Sequence, residues 1–279
     1  MPTGVYITHK KNGQEYYRVS ITYKNKHISL GSSDSYEFAH KRYLLAQRIL
    51  RNSHYRIDDY NKTNQSLSYE KWVILHNFRD NGFYFKTPIY LHEKYFTYHL
   101  SQHIILTFDV DDLFFYGSHK IFKRGNYFFV NDFGMQFNIL SRFGIRNHAC
   151  EGKDYHFIDK NPYNLRYDNI NIINPYHGVE KIHKNNQILY RAKIHVNGYI
   201  IIGYFHSIHK AAIAYNKAVD FMQRYVSEHK NYTKNYIDAI HEEEIEYLYT
   251  TIVLPKNLLN LSPIYQELQS TAKKGQKHS

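Results

Sequence analysis

One segment occurs twice in this chain, and that constrains its fold more than any other feature. Residues 4 to 43 read GVYITHKKNGQEYYRVSITYKNKHISLGSSDSYEFAHKRY, and residues 178 to 215 read GVEKIHKNNQILYRAKIHVNGYIIIGYFHSIHKAAIAY. Each copy opens with Gly-Val, places Tyr-Arg about a dozen residues later, reaches a Gly after an apolar run, and meets a Tyr after eleven further residues. A repeated supersecondary unit decides how the rest of the chain is parsed.

The pattern inside each copy predicts three strands and a helix. In the first, Val19, Ile21 and Tyr23 alternate with Arg18, Ser20 and Thr22, the period of a strand with one buried face. Lys24-Asn25-Lys26 turns the chain, and Ile28 and Leu30 alternate with His27 and Ser29 on the return. The second copy sets Ala192, Ile194 and Val196 against Arg191, Lys193 and His195, then offers Asn197-Gly198 as a hairpin signal. After Gly31 and Gly203 the period becomes helical: Phe38, Ala39, Arg42, Tyr43 and Ala46 in one copy, Ala211, Ala212, Tyr215 and Ala218 in the other. Ser33, Asp34 and Ser35 are the candidate caps of the first helix.

Charge singles out the same two segments. The chain carries 36 Lys and Arg against 25 Asp and Glu, a formal +11. Residues 1 to 52 hold a net +6 and residues 177 to 227 a net +5, so the repeats hold all of the excess. Interleaved bases and hydroxyls on a sheet face suit an anionic partner, with duplex DNA expected and RNA the alternative. The outward face is expected to carry Tyr6, Thr8, Lys10, Lys11, Arg18, Ser20 and Thr22 in the first copy, and Lys181, His183, Lys184, Arg191, Lys193 and His195 in the second.

Other classes find little support in the composition. Cys150 is the single cysteine, so an internal disulfide framework is excluded and a reducing compartment is expected. No apolar stretch approaches a membrane span and the N-terminal residues lack an apolar signal region, which leads to an expectation of no membrane partner and no secretion, with a cytoplasmic, nucleoid, nuclear or organellar location according to the host. Asp109, Asp111 and Asp112 read as a solvated loop or helix start, and His92, His99 and His103 lack ligand-like spacing. Glu242 to Glu246 with Tyr247 and Leu248 reads as a helix with an acidic face and an apolar stripe, available to the second repeat or to a homo-oligomer contact. The final AKKGQKHS reads as a short disordered basic tail.

The order Gly-Val strand, Tyr-Arg strand, hairpin, strand-Gly and small-residue helix with a fixed Tyr resembles the Apetala-two/ethylene-response-factor (ERF) DNA-binding domain, over residues 4 to 50 and 178 to 224. The resemblance implies a three-stranded antiparallel sheet laid in the major groove with the helix behind it. It assigns DNA contacts to Tyr6, Thr8, Lys10, Arg18, Ser20 and Thr22, and to Lys181, Arg191, Lys193 and His195. The plant family's first-strand arginines and tryptophans are missing, so its preferred sequence does not carry over.

Residues 152 to 174, GKDYHFIDKNPYNLRYDNINIIN, resemble the HNH motif of homing endonucleases that carry such DNA-binding domains. The resemblance implies vestigial metal positions at His156 and Asn169. It puts Phe157 where the general base belongs and Leu165 where the central Asn belongs. A phenyl ring accepts no proton, so no catalytic residue and no cofactor are expected, with magnesium relevant only if an endonuclease reading holds.

The expected architecture is therefore α+β: two small three-stranded antiparallel sheets, each backed by one helix, flanking a mixed α+β HNH-like middle domain. The boundaries read from sequence are 1–55, 56–176, 177–230 and 231–279. The expected function is sequence-specific binding of double-stranded DNA in transcriptional regulation. The alternatives are an HNH-type homing endonuclease and an RNA-binding component of a ribonucleoprotein.

Overall fold

A computed structural model describes residues 4–63, 66–226 and 231–267. The basic tail predicted at the C-terminus lies outside them. The fold is α+β, built from several small three-stranded antiparallel sheets and helices. Two compact units are present: residues 1–139 with 157–170, and residues 140–156 with 171–279. Among the described residues no helix is long and apolar enough to cross a membrane.

In the first unit, strands Val5–His9, Glu15–Tyr23 and Lys26–Ser33 form a meander whose register pairs Val5 with Val19 and Ile21 with Ile28. Lys24 and Asn25 both take positive φ, as a two-residue primed hairpin turn requires. The helix Tyr36–Arg51 starts at Ser35, whose hydroxyl accepts from the Phe38 amide at 3.4 Å, so of the three candidate caps it is Ser35 that serves. Ala39, Ala46 and Ile49 are fully buried against Val5, Val19, Ile28 and Leu30. Phe38, at helical spacing with them, turns outward and lies under the Arg42 guanidinium instead.

A second helix, Tyr69–Asn81, adds Trp72, Leu75 and Phe78 to that core. Gly82 ends it in the left-handed conformation. Two further meanders follow: Ile89–Leu91, Tyr95–Ser101 and Ile104–Asp109, then Ile121–Arg124, Tyr127–Asp132 and Met135–Asn138.

In the second unit, strands Val179–Lys184, Gln187–His195 and Tyr199–Phe205 repeat the first meander, and helix Ile208–Tyr225 backs them, capped by Ser207. The two-residue primed turn here is Asn185-Asn186, both at positive φ. Asn197-Gly198 instead belongs to a three-residue connection with Val196, because His195 pairs with Tyr199. The helix Glu242–Thr251 packs its apolar stripe, Ile245, Leu248 and Tyr249, on the same core, and Lys217 Nζ donates to Tyr249 O at 2.6 Å.

Two features of the repeat have physical causes. Gly4 and Gly178 have positive φ, and a Cβ on either would fall on the ring of Tyr43 or Tyr215. That closure ties the first strand to the helix. The later glycines sit at a bulge: Val19 pairs with Gly31 and Ser20 with Ser29, leaving Leu30 extra, while Ala192 pairs with Gly203 and Lys193 with Ile201, leaving Ile202 extra. Both extra residues are buried, so the bulge turns one more apolar side chain into the core.

Candidate nucleic-acid interface

Strand parity decides which side chains face away from the helix. In the first sheet Val5, Val19, Ile21 and Ile28 point to the core, so Tyr6, Thr8, Arg18, Thr22, His27 and Ser29 point away. Tyr6 pairs across to Arg18, and Arg18 to Ser32. Tyr6, Thr8, Arg18, Ser20, His27 and Ser29 line one shallow hollow of about 380 Å³. Arg18 is exposed and has no carboxylate partner among the described residues. No Asp or Glu occupies an outward position on these three strands.

Ser20 and Lys10 differ from expectation. Ser20 is on the outward side, beside the bulge, but only 8% exposed within the hollow it helps to line. Lys10 Nζ sits 3.2 Å from Asp34 Oδ1 and 3.2 Å from Gln14 Oε1, so part of its charge is answered locally. Lys11 is exposed in the connection between the first two strands. His27 and Ser29 join the face as residues absent from the sequence assignment. Both alternate with the apolar Ile28 and Leu30, so the period of their own strand already places them on this side.

The second sheet is arranged differently. Val179 and Ala192 are buried partners, so Glu180, Ile182 and Lys184 face outward on the first strand, and Arg191, Lys193 and His195 on the second. Lys181 and His183 therefore stand at the alternate, helix-side positions, exposed past the edge of the core. Their expected place on the outward face is corrected. Two residues from Val179 along a pleated strand returns to the same side.

Glu180 takes the place that Tyr6 has in the first copy, and it engages both central bases. Arg191 Nη2 donates to Glu180 Oε2 at 2.5 Å, and Lys193 Nζ donates to the same oxygen at 2.8 Å. The hydrogen bonds from Lys193 and Arg191 hold the carboxyl well below its usual range, at about 2. Lys193 Nζ also lies 4.5 Å from the Tyr199 ring centroid, and Lys184 Nζ 5.1 Å from that of Tyr204. Glu180, Lys193, His195 and Tyr199 line one wall of a cleft of about 450 Å³, whose other walls include His148, Lys153 and His177. Burial, with Arg146 and His148 nearby, lowers the His177 pKa.

The chain matches no family model, no curated protein and no solved structure.

The segment resembling the HNH motif is a tightly bonded loop between strands Tyr155–Phe157 and Ile170–Ile172. Asp159 accepts from the Asn161 amide at 2.7 Å and from Asn164 Nδ2 at 2.7 Å, and these bonds lower its pKa, that of Asn164 most. Asn169 uses both ends of its amide: Oδ1 accepts from the Asp159 amide at 2.9 Å, and Nδ2 donates to Asn164 O at 2.8 Å. Its side chain is spent on the loop. Phe157 and Leu165 are buried, and no group of three or more metal-ligating side chains occurs among the described residues. Asp109 accepts from Arg166 Nε at 3.1 Å and from the Tyr167 amide at 2.7 Å, which assigns it to holding this loop.

Proposed function

We propose that the protein is a sequence-specific double-stranded DNA-binding protein that reads the major groove with the outward face of its first sheet, and that it acts in regulating transcription by occupying DNA. One observation carries the reading: an exposed Arg18, without a carboxylate partner among the described residues, stands among Tyr6, Thr8, Ser20, Thr22, His27 and Ser29 on three strands with no outward Asp or Glu. Three strands span about 10 Å between outer axes, close to the roughly 12 Å width of the major groove. A guanidinium in that groove pairs with guanine O6 and N7, and hydroxyls reach the flanking edges and phosphates. The second sheet supplies a second contact on the same chain, which raises the effective local concentration of binding surface where both engage.

Fluorescence anisotropy of the full chain on labelled duplex tests this reading. Preference for duplex over a structured RNA competitor, with log affinity falling steeply as salt rises, is expected. Equal binding to random duplex and structured RNA would overturn it.

A further inference from the structure

Both hydrogen bonds that Glu180 receives from Arg191 and Lys193 go to Oε2. Oε1 has no partner among the described residues, although the carboxyl is ionised at any ordinary pH. A charged oxygen with open lone pairs, fixed by two cations on a sheet face, is a positioned acceptor. Such a group is a poor companion for phosphate. It is a good one for an amino group.

We propose that Glu180 is the specificity-determining residue of the second sheet, accepting through Oε1 from an exocyclic amino group in the major groove, cytosine N4 above all. The inference rests on the duplex-binding reading and deepens it. Arg191 and Lys193, expected from sequence to contact DNA, are engaged by Glu180 as its supports. A site without the amino donor leaves Oε1 desolvated and unpaired beside the phosphates, and is rejected. The first sheet, with Tyr6 at the matching position, carries no such filter.

The test uses the full chain in three forms: wild type, Glu180→Gln and Tyr6→Glu. Each is titrated on a random-sequence duplex across a salt series and put through selection from a random duplex pool. Glu180→Gln should bind random duplex roughly tenfold more tightly, with a salt slope steeper by about one, and should lose a cytosine preference that the wild type shows. Tyr6→Glu, at a position 55% exposed, should weaken random-duplex binding roughly tenfold. If the wild type prefers duplex but Glu180→Gln leaves random affinity, salt slope and selected motif unchanged, this inference is overturned and the parent reading stands. If no form prefers duplex, the parent reading falls and takes this one with it.

Discussion

Tyr215 lies over Gly178 so closely that a single methyl group on the glycine would fall inside the tyrosine ring, and the same is true of Tyr43 and Gly4. Each pair fastens a first strand to its helix at the point where the strand begins. The backbone adds its own demand, since φ is +68° at Gly178 and +105° at Gly4.

Gly178→Ala is expected to destabilise the second unit by about 2–4 kcal/mol, combining overpacking with a strained backbone. Urea denaturation checks the value. The cost should be smaller in a Tyr215→Ala background, because the collision is gone and only the backbone strain remains.

Arg18 and Arg191 occupy matching positions in the two copies but not matching electrostatic situations. On random-sequence duplex, Arg18→Ala should lose roughly tenfold in affinity and flatten the salt dependence by about one phosphate contact. Arg191→Ala should lose less than about threefold on the same duplex, because Glu180 already answers its charge. Anisotropy titrations of the two variants side by side decide the matter.

Acid should weaken the first unit through His99. Its Nδ1 lies 2.9 Å from the Tyr69 hydroxyl and its Nε2 3.0 Å from Thr97 Oγ1, whose own proton is directed at Tyr90 O. A neutral ring, accepting from Tyr69 and donating to Thr97, satisfies both neighbours. Burial, and to a lesser degree His92, lowers its pKa to about 4. The unfolded chain takes up this proton near pH 6.5. Stability is therefore fully present above pH 6.5 and declines as pH falls toward 4, by at most roughly 3 kcal/mol from this residue. Urea midpoints at pH 7 and pH 5 should differ less in His99→Gln than in the wild type.

A histidine at residue 157, where the resemblance to the HNH motif puts the general base, is not expected to produce a nuclease. Phe157 is 5% exposed, so Phe157→His puts a polar ring into packed apolar surroundings at a cost of about 2–3 kcal/mol. Supercoiled plasmid incubated with magnesium or manganese is expected to remain intact with either protein. Nicking by the variant alone would show that the frame around residue 157 still supports chemistry.

Much of this was legible in the chain, and the misplacements have separate causes. Period-two alternation around Val19 and Ala192 marks the paired strands, and the change of period after Gly31 and Gly203 marks the helices. Lys181 and His183 are basic residues that suit the outward face, but parity from Val179 within their own strand already sends them to the helix side. What single-strand patterns do not supply is register. Glu180 is a carboxylate on a basic face, and only the distances to Arg191 and Lys193 reveal its place. The bulge beside Ser20 depends on an extra residue in the neighbouring strand, Leu30, which no periodicity within the Ser20 strand announces.

The central claim, that the outward sheet faces read DNA sequence, is tested most directly by selecting bound sequences from a random duplex pool with the full chain and repeating the selection with Arg18→Ala. The account predicts an enriched motif for the wild type with a guanine that Arg18→Ala no longer demands. No enrichment over the starting pool, or an identical motif from both proteins, would contradict it.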